Sequence, residues 1–176
     1  MEDQESRAKQ LFFTYHGSHS RMYREGDLDE YKGYNIPREV EVAWCEEFVM
    51  MHAKELSIRN WDAVIHLEAL SRSYQDSTIL EKVVAFAARN TMSADSLVKL
   101  MYAEGIIRII QACRNVVSRD LLFEACKVTV RLFESIMSGP LVLDPGHELS
   151  QASIKDKKSL NSRALKGIEE IRGLLN

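Results

Sequence analysis

Proline, glycine and cysteine are all scarce in this sequence, and each shortage excludes something. The three prolines stand at 37, 140 and 145, and the eight glycines gather toward the two ends. Residues 38–138 therefore hold almost no helix breakers. The three cysteines, Cys45, Cys113 and Cys126, form no CxxC pair, and each lies among apolar residues. They read as buried, reduced thiols of a cytosolic protein. Apolar runs such as EFVMM and GIIRII are far shorter than a bilayer span, so no membrane contact is expected. The opening MEDQESRAKQ is polar and acidic-leaning, without the order of a secretory signal. The expected location is cytoplasmic. Basic charge is not in surplus either: the net charge is −3. Phosphate neutralisation needs an excess of Lys and Arg, so no nucleic-acid partner is expected.

The usual signatures of chemistry are missing as well. There is no GxSxG elbow, no GxGxxG or GxxxxGK[ST] phosphate loop, no HEXXH and no paired Glu-x-x-His. No cofactor is expected.

What the sequence does carry is helical periodicity, with apolar residues every three or four positions. A first helix is predicted through EDQESRAKQLFFTY. A second starts at Pro37, whose fixed φ suits a first helical turn, and turns Val40, Trp44, Phe48 and Met51 to one face. Asn60 can cap a third, with Val64, Leu67 and Leu70 (or Ala63) inward. Thr78 and Glu81 have capping-box spacing ahead of KVVAFAARN. Ser93 can cap ADSLVKLMYAE, with Gly105 as its stop. After IIRIIQACRN, Ser118 can cap the long RDLLFEACKVTVRLFESIM, which ends at Gly139–Pro140. Its polar stripe of Glu124, Lys127, Arg131 and Glu134 is narrow, which predicts a central place in the core. Residues 139–158 read as a linker. An amphipathic helix follows over 159–175, with Leu160, Ala164, Ile168, Ile171 and Leu175 on one face. The prediction is a single all-α domain, 1–176, of seven or eight helices.

An internal echo runs through the centre. Laying Asn60 on Gly105 brings Val64 onto Ile109, Ile65 onto Ile110, Lys82 onto Lys127 and Val83 onto Val128. That offset of 45 residues lies inside the HEAT and armadillo range. Over roughly 56–137 the chain resembles the armadillo-like helical repeat superfamily. LVKLMYAEGIIRIIQACRNVVSRDLLFEACKVTVRLFESI looks like one unit: a helix, a glycine, a short apolar helix, then a long one. The resemblance implies an armadillo/HEAT-like right-handed stack; the residues alone equally allow an irregular helical bundle. Armadillo units that hold extended peptides present an asparagine late in the third helix. Asn90 stands there in the first unit and Ser135 in the second, so the sequence departs from that ladder.

The stretch FFTYHGSHSRMYREGDLDEYKGYN, residues 12–35, has no clean period. It holds Tyr15, Tyr23, Tyr31 and Tyr34 among Arg21, Arg24 and several acids, and Asp27 with Glu30 can box-cap a short helix in DLDEYKGY. As a wrapping segment over 12–36 it would pin its rings on the core. As a recognition surface it would offer Arg21, Tyr23, Arg24 and Tyr31, since Tyr and Arg combine large contact area with a polar tip. As a metal site it would offer His16 and His19, three apart and near carboxylates, with His52 and Glu55 as further candidates. His66, amid AVIHLEAL, reads as a satisfied helix residue. The function expected is a non-enzymatic protein–protein interaction module: a scaffold, an adaptor or an immunity-type binder. The alternative is a metal-dependent enzyme or sensor using a His/carboxylate site. A third possibility is a structural piece of an assembly, a homo-oligomer through its C-terminal helix.

Overall fold

The computed structural model describes residues 2–176. Among them are nine α-helices and two short 3₁₀ turns, with no strand. The helices are α1 (Glu2–Thr14), α2 (His19–Glu25), α3 (Leu28–Gly33), α4 (Arg38–Lys54), α5 (Asp62–Ser73), α6 (Ser77–Asn90), α7 (Ser96–Cys113), α8 (Arg119–Ser138) and α9 (Lys157–Leu175). The all-α expectation holds, with two short helices, α2 and α3, inside the aromatic segment. Among the described residues, no helix is long and apolar enough to cross a membrane.

The centre of the fold is α7, not α8. It packs against α5, α6, α8 and α9, and of its residues only Gln111 is exposed. The polar stripe predicted on α8 faces solvent at all four positions. Gly105, predicted to stop a helix, lies within α7. A Cβ there would come within 2.5 Å of Val64 Cγ1, so the glycine serves the close approach of α5 to α7. The stretch read as helix, glycine, short helix and long helix therefore holds two helices, α7 and α8.

Caps shift for a related reason. Asp76 rather than Thr78 caps α6, accepting from the Thr78 amide, and Asp95 rather than Ser93 caps α7, accepting from the Val98 amide. Ser118 caps α8 as predicted, and the helix ends at Gly139. Asp27 precedes α3 but its side chain caps nothing; it accepts from the Tyr15 hydroxyl at 2.5 Å instead. The inward face of α4 is Glu41, Trp44, Cys45, Phe48, Val49 and His52, while Met51 is exposed.

Residues 139–158 are a bonded strap rather than a slack linker. Val142 exchanges hydrogen bonds with Ser96, and the Asp144 amide donates to Asp95 Oδ2 at 2.8 Å. Ala152 and Ile154 enter the core. The last helix docks on α8 and α7, burying Leu160, Ala164, Gly167, Ile168, Ile171 and Leu174. Leu175, predicted inward, is exposed. The apolar face expected to serve self-association is thus occupied within the chain.

Candidate functional site

The N-terminal segment earns its irregular composition by building polar structure. After α1 the chain turns through two left-handed residues, His16 (φ 53) and Gly17 (φ 69). Gly17 is required there: its φ is positive, and a Cβ would lie 2.5 Å from the Tyr74 ring. His16 carries a side chain in a conformation that costs most residues free energy. The turn aims its imidazole at α5, and α2 follows, capped by Ser18.

The direction of each hydrogen bond at His16 follows from its partners. Arg21 can only donate, so His16 Nδ1 accepts from it at 2.7 Å. The proton is therefore on Nε2, which donates to His66 Nδ1 at 2.9 Å. His66 in turn stacks on His52, ring centroids 4.7 Å apart, and His52 Nδ1 lies 3.1 Å from Glu55. Burial, and after it the positive charge of Arg21, push His16 down to about 4. Burial and the neighbouring His66 lower His52, against the pull of Glu55. A neutral His16 holds Arg21 in place.

A second polar knot centres on Glu41, which is 8% exposed. The hydroxyl of Tyr31 donates to Glu41 Oε1 at 2.7 Å and that of Tyr74 to Oε2 at 3.1 Å. Arg38 Nη1 lies 3.3 Å from the same carboxylate, and its guanidinium covers the Tyr74 ring at 4.6 Å. His19 Nε2 approaches Glu41 at 3.7 Å. Burial raises both tyrosines, with Glu41 adding to it, so both phenols stay protonated donors.

Above these knots opens a cavity of about 480 Å³, lined by α2, the start of α4 and the end of α5. Four guanidiniums reach it: Arg21 and Arg24 from α2, Arg38 from α4 and Arg72 from α5. Ser18, Ser20 and Ser73 add hydroxyls, and no carboxylate lines it among the described residues. Glu41 stands behind Arg38, and Glu68, itself buried, bonds Arg72 and Arg108. The cleft gathers N–H donor forks and local positive charge, the groups that suit an oxyanion.

The predicted residues distribute as follows. Arg21 and Arg24 line the cleft, and His19 joins them. Tyr31 does not belong to an interaction surface; its ring is 4% exposed because its hydroxyl must reach Glu41. Tyr23 is 74% exposed and is absent from the cleft lining. His16 and His19 do not converge as a ligand pair, since one bonds His66 and the other sits over Tyr31 near Glu41. Arg38, Arg72 and the two buried glutamates were not anticipated. Their one sequence signal is that Glu41 and Glu68 occupy apolar-face positions of α4 and α5.

One cluster has the residue types of a metal site: Asp95, Asp144 and His147, where α7 begins and the strap crosses it. Asp95 is already committed. Its Oδ1 accepts from the Val98 amide, and its Oδ2 accepts from the Asp144 amide and lies 2.5 Å from His147 Nδ1. Burial opposes its ionisation, but those amides and His147 outweigh it and hold the carboxyl below its ordinary value. The position at a helix N-terminus, where the dipole favours an anion, makes this a clasp for the strap rather than a cation seat. The three cysteines are buried, and burial raises each thiol, Cys45 to about 12, so none is poised as a nucleophile. Comparison of the chain with protein families, with curated proteins and with solved structures finds no match.

Proposed function

We propose that the protein is a non-enzymatic recognition module that holds an anionic segment of another protein in the arginine cleft. The carrying observation is the convergence of Arg21, Arg24, Arg38 and Arg72 on one cavity whose lining has no carboxylate among the described residues. Arginine is among the residues in which binding energy concentrates at interfaces. The helical body then acts as a scaffold that sets the spacing of those groups. A cytoplasmic setting suits the three free thiols buried in that body.

The test uses a short fluorescent polyglutamate peptide and its polylysine counterpart, read by anisotropy. The wild type is expected to bind the glutamate peptide alone, more weakly as salt rises. Arg21→Ala/Arg24→Ala, with helicity unchanged, is expected to lose it. Equal binding by that folded variant removes the cleft from the reading. A wild type that binds neither glutamate nor phosphorylated peptides removes the reading itself.

A further inference from the structure

The charges around the cleft are unequal in a way that specifies its guest. Arg38 and Arg72 are each answered from behind, by Glu41 and Glu68. Arg21 bonds only the neutral His16, and Arg24 makes no ion pair among the described residues. The cavity therefore keeps about two uncompensated positive charges over one small volume. Three of its donors are also fixed in direction: Arg21 by His16, Arg38 by Glu41 and the Tyr74 ring, Arg72 by Glu68.

We infer that the group seated in this cleft is a phosphate monoester carried on a side chain of the partner protein. The inference rests on the cleft being the recognition surface. A phosphorylated side chain brings about −1.5 to −2 charges and three acceptor oxygens on one centre. A carboxylate brings one charge and two oxygens, so it would leave part of the converging donor set unanswered. A nucleic-acid phosphodiester carries a single charge and fits the balance no better. A nucleotide would need a face on which to lay its base. The one aromatic ring in the lining besides His19 is Tyr74, and Arg38 already covers it. A phosphate on a flexible polypeptide asks for no such platform.

Degenerate peptides with a central phosphoserine, phosphotyrosine, glutamate or unmodified serine separate the possibilities, titrated by calorimetry against the full chain. Inorganic phosphate and adenosine monophosphate serve as competitors. One phosphopeptide set is expected to bind at least about tenfold more tightly than the glutamate set. Arg24→Ala should abolish that margin, and Arg24→Lys, which keeps charge but not the fork, should restore only part of it. Arg119→Ala, an exposed arginine on α8, should change nothing. Equal affinity for glutamate and phosphopeptides overturns the phosphate inference and leaves the cleft reading standing. Displacement by inorganic phosphate or adenosine monophosphate at an affinity equal to the peptide's assigns the site to free phosphates and overturns the protein-borne source. If no peptide binds, or if Arg24→Ala is without effect, both readings fall.

Discussion

The interior of the protein is built in two ways. Around α7, α8 and α9 it is almost wholly aliphatic and aromatic, with Ile106, Ile109, Ile110, Leu132 and Phe133 out of solvent. Around α1 to α5 it contains the carboxylates of Glu41 and Glu68, two phenols that donate to Glu41, and three imidazoles joined by a hydrogen bond and a stack. Apolar burial yields stability in proportion to area and has no preferred direction. Buried polar groups contribute little net stability, but they must be satisfied and so fix orientation. Stability in this fold resides chiefly in the first region, and the aim of the cleft arginines in the second.

The strongest way to break that contrast is to cut into the apolar side. Phe133 is fully buried, and its ring lies against Gly167 so closely that a Cβ on that glycine would collide with it. Phe133→Ala is expected to cost about 3–5 kcal/mol, the range for a buried aromatic whose cavity cannot collapse. Gly167→Ala, overpacking the same contact, should cost about 1–3 kcal/mol. Urea unfolding measures both. Neither variant, assayed while folded, should alter anion binding; a matching loss of binding would show that the two regions are not separable.

Glu41→Ala strikes the polar side. It strands the hydroxyls of Tyr31 and Tyr74 and frees Arg38 from its brace. Each stranded buried hydroxyl costs about 1–3 kcal/mol, so the stability loss should approach that of Phe133→Ala without exceeding it greatly. The binding loss should be larger, because Arg38 no longer points into the cleft. A Glu41→Ala protein that binds anions as the wild type does would deny the polar knot its orienting role.

How much of this was legible follows the same division. Helices were readable where one local signal decides: Pro37 before α4, Ser118 before α8, Gly139 after it. Gly105 misled because helix stop and close packing look alike locally, and Val64, on a distant helix, decides between them. Thr78 and Ser93 are good caps with better placed ones nearby, Asp76 two residues before the first and Asp95 two residues after the second. Asp95 prevails because it also holds the strap. At the site, Arg21, Arg24 and His19 stand together in one odd stretch and were visible. Arg38 and Arg72 reach the cleft only through the packing of α4 and α5. Glu41 and Glu68 carry no local signal beyond their inward positions on α4 and α5, and both take partners from other helices.

The response to pH is the most discriminating test, because each region carries its own acid-sensitive group. His16 titrates at about 4 when folded against an ordinary 6.5. Between those values the unfolded chain takes up a proton that the folded chain refuses, so stability falls as pH drops from 6.5 to about 4. Asp95 acts lower: held beneath its ordinary 3.8, it contributes in full above that value and loses its share only as pH falls further, through its folded value. At about pH 5, hydrogen exchange corrected for intrinsic rate should therefore accelerate over residues 12–35 while 139–148 stay protected. Below the ordinary carboxylate range the strap should open too. His16→Asn tests the cause, since asparagine tolerates the left-handed backbone and its side-chain oxygen can accept from Arg21. That variant should shrink the upper window to what His52 supplies and leave the lower one unchanged. An unaltered upper window in His16→Asn, or a strap that opens first, would mean that the polar half does not yield through its neutral histidine, and the contrast between the two interiors would lose its chemical basis.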